Sequence, residues 1–159
     1  MSQTFSHEQH YARAARRHYE DATYLHDDAR LPNADHHYGF AVECALKSLL
    51  LRYLSATMAP LKPGGKPSLW PWTPGASGKP QKYGHLPEIW SDVAMLVRGR
   101  SGSTLAAVLT STDPFATWDV ADRYHGAPSL STHTMKERKE AAIRILTLHE
   151  QAIITGILR

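Results

Sequence analysis

The chain has 159 residues, a formal charge of +3 and 42% hydrophobic residues, which suits one globular domain with a sizeable core and excludes wholesale disorder. Its single cysteine, Cys44, excludes an internal disulfide framework and fits a reducing, cytoplasmic setting. Residues 1–10 lack a basic start and an apolar run, and no stretch reaches the roughly 18 apolar residues that a spanning helix needs, so neither a signal peptide nor a membrane partner is expected.

The first helix is expected from His7 to Ala29. Ser6 and Gln9 stand at capping-box spacing, and Tyr11, Ala15, Tyr19, Ala22 and Leu25 recur with helical period. Pro32 predicts a break at Arg30–Asn33, because proline disfavours helix at the residue before it. Asp35 then caps a second helix, His37–Leu54. Tyr38, Ala41, Val42, Ala45, Leu46, Leu49 and Tyr53 share one broad side of it, and Phe40, Cys44 and Leu51 form a second apolar patch. A helix dry on two sides belongs at the centre of a fold. His36, Glu43 and Lys47 lie on the narrow stripe between the patches, with Glu43 and Lys47 in the favourable acid-before-base order four residues apart.

From Ser55 to Gly84 the composition shifts, with six of the ten prolines (Pro60, Pro63, Pro67, Pro71, Pro74, Pro80). That density forbids a continuous helix or an inner strand and predicts a long loop. Its apolar tip, Leu69-Trp70-Pro71-Trp72, either tucks against the helices or serves as a partner surface or a stacking platform for a base. Pro87 opens a third helix that buries Ile89, Trp90, Val93, Leu96 and Val97 and ends at Gly99. A short fourth helix spans Ser103–Leu109, and an irregular piece follows from Asp113-Pro114 through Trp118 to Tyr124. Thr134 and Glu137 form the capping box of the last helix, whose apolar stripe is Met135, Ala142, Leu146, Ile153 and Ile157. No alternating run is long enough for a sheet. These elements predict an all-α, up-and-down bundle of four to five helices in one domain.

The segment Ala34-Asp35-His36-His37-Tyr38-Gly39-Phe40-Ala41-Val42-Glu43-Cys44-Ala45-Leu46-Lys47 is followed by the proline-rich insertion, Gly84-His85-Leu86, and Trp118 ahead of Arg123-Tyr124. This order resembles the HEPN (higher eukaryotes and prokaryotes nucleotide-binding) domains, especially the small bacterial ones, over most of the chain outside the loop. The resemblance implies a helical bundle, often a homodimer, that works with RNA or nucleotides, frequently in toxin–antitoxin or defence systems beside a nucleotidyltransferase. It also implies that Glu43, Lys47, His85, Arg123 and Tyr124 are the positions matching the family's recurrent polar pattern.

Many members of that family are metal-independent ribonucleases with an Arg-x(4–6)-His motif. Arg13…His18, Arg30…His36, Arg30…His37 and Arg144…His149 meet the spacing, but a chain with ten histidines produces such pairs by chance, and Ala14, Leu31 and Ile145 replace the polar residue that commonly follows the arginine. No catalytic residue is therefore assigned. The ligand-binding expectation is a pocket in which Lys47 and Arg123 hold a phosphate, Glu43 orients them, and His85 or Tyr124 contacts the ligand. The plainer alternative is that Glu43 pairs with Lys47 or Arg123 and fixes helix packing.

The charge permits contact with phosphates without demanding it. No metal or other cofactor is expected: His36-His37 with His18 or His26 lacks a zinc-ligand spacing, and Pro63-Gly64-Gly65-Lys66 lacks a phosphate-loop pattern. Cys44 reads as an inert core thiol. The leading functional expectation is an RNA- or nucleotide-binding module, with a metal-independent ribonuclease and an interaction scaffold as alternatives.

Overall fold

The computed structural model describes residues 5–98, 103–126 and 130–159. Helix α1, His7–Asp27, starts at the expected capping box: the Gln9 amide donates to Ser6 Oγ at 3.2 Å, and the Ser6 amide to Gln9 Oε1 at 3.0 Å. Its fully buried residues are Ala15 and Ala22, small enough to let it lie close along the next helix. Helix α2, Leu31–Tyr53, runs antiparallel to α1, with Glu8 near Ser48, His18 near His37 and Tyr19 near Tyr38.

The start of α2 corrects the sequence expectation. The expected break between the first two helices is present, at residues 28–30, but Pro32 lies past it in the first turn of α2, where a missing amide proton costs nothing and the fixed φ is already helical. Asp35 therefore sits inside the helix, buried, rather than capping it. From there to Leu50 nearly every residue of α2 is buried, Ser48, Leu49 and Leu50 with no exposed surface. It is the central helix that its two apolar sides predict.

Helix α5, Thr132–Thr155, lies along α2 in the same direction: Arg138 meets Asp35, His149 meets Ser48, and Tyr53 donates to the Ala152 carbonyl. It begins ahead of the expected Thr134–Glu137 box, because Ser131 supplies the cap and accepts from the Thr134 amide at 3.0 Å. Met135, Ala142 and Leu146 are buried as expected. Ile157 lies past the left-handed Gly156 cap and is exposed.

Helices α3, Glu88–Val97, and α4, Ser103–Ser111, close the core with Ile89, Trp90, Val93, Leu105 and Leu109. Trp90 Nε1 donates to the Leu109 carbonyl at 3.0 Å. The Gly99 stop signal lies outside the described residues. The connection from α2 to α3 holds a short antiparallel ribbon, β1 (Trp72–Pro74) with β2 (Pro80–Lys82), in which Pro74 faces Pro80 at the turn end. A two-stranded ribbon leaves edges where proline's missing donor is tolerated. The architecture among the described residues is five α-helices in an all-α bundle, and no helix is long and apolar enough to cross a membrane.

Candidate functional site

The five residues expected at the site divide into two groups. Glu43, Lys47 and His85 come together. The side chains of Glu43 and Lys47 are 7% and 4% exposed, and Lys47 Nζ donates to Glu43 Oε1 at 2.7 Å. His85 Nδ1 approaches the same oxygen at 3.0 Å, and the Leu86 amide donates to Oε2 at 3.2 Å. One carboxylate thus ties two turns of α2 to the segment leading into α3. Tyr11 covers the ammonium, 5.6 Å from ring centre to Nζ, and Trp70 packs edge-on against His85. That contact places one tryptophan of the loop tip against the bundle, while neighbouring Leu69 is 83% exposed. A buried ammonium already satisfied by a carboxylate has little left to offer a phosphate.

Arg123 and Tyr124 lie elsewhere, on the exposed 3-10 turn Val120–Tyr124, with the Arg123 guanidinium stacked 4.8 Å over the Tyr124 ring. The Asp119 carboxylate caps this turn by accepting from the Ala121 amide at 2.8 Å. Just ahead of it, the Trp118 indole packs directly over Gly39, where any Cβ would overlap the ring. Trp118 also stacks with the His36 imidazole, 5.1 Å between centres and 24° between planes. The turn is thereby seated at the N-terminal end of α2. Lys47 stands about 16 Å farther along the helix axis than His36 at 1.5 Å per residue. The expected shared grip of Lys47 and Arg123 on one phosphate does not form.

Arg123 instead borders a cleft of about 1130 Å³ that also meets Arg30, Asp35, His36, His37, His125 and Arg138. The first turns of two helices open on it, through Pro32 and Asn33 of α2 and Thr134 of α5. Because α2 and α5 are parallel, both positive dipole ends meet here, and neither first turn carries an acidic residue. At the cleft floor, Arg138 donates to Asp35 Oδ2 at 2.6 Å, to the Pro114 carbonyl at 3.0 Å and to Thr117 Oγ1 at 3.1 Å. Burial pushes the Asp35 carboxyl above its usual range, and the guanidinium pulls against that shift.

Other charges of the cleft are spoken for in part. Arg30 pairs with Asp28 at 3.1 Å and His125 with Asp122 at 3.2 Å, both in exposed positions. Arg123 makes no ion pair among the described residues. Burial, with His37 and Arg123 nearby, lowers the His36 pKa and keeps that ring neutral near pH 7. Its buried Nε2 and the Trp118 Nε1 have no hydrogen-bond partner among the described residues.

A third polar cluster lies inside the bundle. Ser48 Oγ donates to Glu8 Oε1 at 2.9 Å and accepts from His149 Nε2 at 2.9 Å. The hydroxyl proton is committed to the carboxylate, so the histidine must carry its own proton on Nε2. Ser48 is fully buried and His149 nearly so, and the histidine pKa falls to about 4 through burial and the Arg52 charge. This removes Arg144…His149 from the accessible arginine–histidine pairs. Cys44 is inert for a related reason, since burial and Glu43 push its thiol up to about 11.

Arg138 is absent from the sequence expectations, and His149 enters them only through the Arg144…His149 pair. Their signal was present: Arg138 falls three residues after Met135 and four before Ala142, and His149 three after Leu146 and four before Ile153. Both are polar residues on an apolar stripe. Comparison of the chain with protein-family models, characterised proteins and solved structures finds no match.

Proposed function

We propose that the protein is an RNA- or nucleotide-binding helical module of HEPN-like type, with the cleft at the paired N-termini of α2 and α5 as its anion site. The observation that carries this reading is convergence. Two parallel helix starts without acidic first turns meet Arg30, Arg123, His36, His37 and His125 around one cavity. Helix N-termini favour phosphate through their positive dipole ends, and guanidinium groups add bidentate donors. The exposed Arg123–Tyr124 stack extends the same surface with an aromatic face for a base. A cytoplasmic homodimer acting beside a nucleotidyltransferase in a toxin–antitoxin or defence setting is the biological context that the resemblance supplies.

The test is fluorescence anisotropy with a labelled single-stranded oligoribonucleotide across a salt series. Arg30→Ala and Arg123→Ala should each weaken binding and lower the slope of log K against log salt by about 0.7 per lost phosphate contact. Unchanged affinity and slope in both variants would overturn the assignment of the cleft.

A specific observation also favours a second reading, a metal-independent ribonuclease. Of the arginine–histidine pairs at allowed spacing, Arg30 with His36 and His37 places all three residues around the same cleft. A neutral His36 beside arginines can take the proton of an attacking 2′-hydroxyl while a guanidinium holds the phosphate. Chelator-resistant cleavage of mixed RNA, abolished in His36→Ala, supports it. Binding without cleavage leaves the first reading.

A further inference from the structure

The two adjacent histidines of α2 diverge. His36 turns toward Trp118 and the cleft, whereas His37 reaches across to α1 and meets His18, Nδ1 to Nδ1, at 3.2 Å. Asp21 stands three residues after His18, on the same side of α1. One ligand atom from each of His18, Asp21 and His37 lies within 4.8 Å of the other two. We propose that these three residues form a site for a divalent transition metal of the zinc class, bridging α1 and α2.

The spacing fits the ligand chemistry. Two imidazole nitrogens bound at 2.0–2.1 Å to a tetrahedral ion stand about 3.3 Å apart, close to the observed 3.2 Å. Asp21 is exposed and therefore free to swing its carboxylate inward, and it brings a negative charge to the cation. Both rings pack against Phe40, at 5.3 Å for His18 and 6.3 Å for His37 between centres, which restricts their orientation. Nitrogen donors with one carboxylate select zinc, or copper and nickel, over magnesium and calcium.

Three protein ligands leave one tetrahedral position for water, the pattern of open rather than closed zinc sites. His37 also lines the cleft, so the ion stands at the border of the cavity. The proposal is independent of the cleft's assignment to RNA, because it rests on residues that cross from α1 to α2. The alternative for the 3.2 Å contact is a hydrogen bond between two neutral imidazoles, which needs no ion.

The test uses the full chain free of any affinity tag, stripped with chelator and titrated with Zn2+ against a chromophoric chelator. Co2+ is titrated in parallel and followed by visible absorption. The wild type should bind one ion per chain and give a tetrahedral Co2+ spectrum. Asp21→Asn and His18→Gln/His37→Gln should lose more than the roughly 10–100-fold in affinity typical of outer-shell changes, while His133→Ala, at an exposed position far along the chain, should lose none. Asp21 is on the surface, so its variant is expected to fold, and far-ultraviolet circular dichroism checks the double variant. Equal zinc affinity in wild type and both ligand variants, or loss shared equally by His133→Ala, would overturn the proposal in favour of diffuse histidine binding.

Discussion

Lowering the pH should destabilise the fold through His149, by an amount that follows from its burial. The ring carries its proton on Nε2, given to Ser48, and lies almost wholly inside the bundle with Arg52 nearby. Its folded pKa is about 4, against an ordinary value of 6.5. The unfolded chain therefore binds the extra proton first as the pH falls. The contribution is complete above about pH 6.5, declines below it, and is exhausted near pH 4. The full gap corresponds to about 3 kcal/mol, of which about 2 kcal/mol is gone at pH 5. Urea unfolding at pH 7 and pH 5 measures the loss, and His149→Gln isolates it, because glutamine keeps a donor for Ser48 without a titrating ring. The wild type should lose about 2 kcal/mol more between the two pH values than the variant. The lowered His18 and His36 act in the same direction, and the raised Asp35, Asp92 and Asp113 act oppositely at lower pH, but all of them remain in both proteins and cancel in the difference. Matching losses in wild type and variant would refute the reasoning.

Glu43→Gln and Lys47→Met should each cost about 3–5 kcal/mol in urea unfolding, because each strands a buried partner, whereas the double variant should cost clearly less than their sum. Arg123→Ala should shift stability by no more than about 0.5 kcal/mol, since its side chain is exposed and stacks on the equally exposed Tyr124; its effect belongs to the RNA titration. Gly39→Ala gains about 1 kcal/mol of helix propensity but forces its methyl into the Trp118 indole. Overpacking of about 1–3 kcal/mol or more should leave a net loss, visible as a lower thermal midpoint and altered tryptophan fluorescence.

The helices were legible because their periodicity is strong. Ser6–Gln9 marked the start of α1 to the residue, and the two apolar sides of α2 identified the central helix. What misled was chemistry with two meanings. Pro32 reads as a breaker when its effect on the preceding residue is considered, yet in the first helical turn it is a good starter, and only the chain's return along α1 decides between them. Thr134 and Glu137 match a capping box, but Ser131 is the residue whose backbone leaves the helix, so Thr134 becomes the third residue inside. The ribbon of β1 and β2 has only three residues per strand, too few for an alternating pattern to register.

The polar site was harder to read because its parts come from parallel helices far apart in sequence. Glu43 with Lys47 was visible as a local pair on one helix, and that visibility made it the natural choice for a pocket. Its burial shows what such a pair most readily does: it satisfies itself and anchors Leu86 and His85 to the helix. The cleft needs a different kind of information, namely that α5 runs with α2 rather than against it. The buried Asp35–Arg138 bond sets that direction by joining the second turns of the two helices, and the Ser48–His149 bond holds the same direction about three turns beyond. Once both bonds are made, the N-termini of α2 and α5 must open on the same side, with Arg30 and Thr134 facing one cavity. Reversing α5 would strand a guanidinium and a carboxylate inside the core, a cost that one domain of this size cannot carry. The polar residues on the apolar stripe of α5 are therefore the link between sequence and site: they choose the helix direction, and the direction creates the cleft.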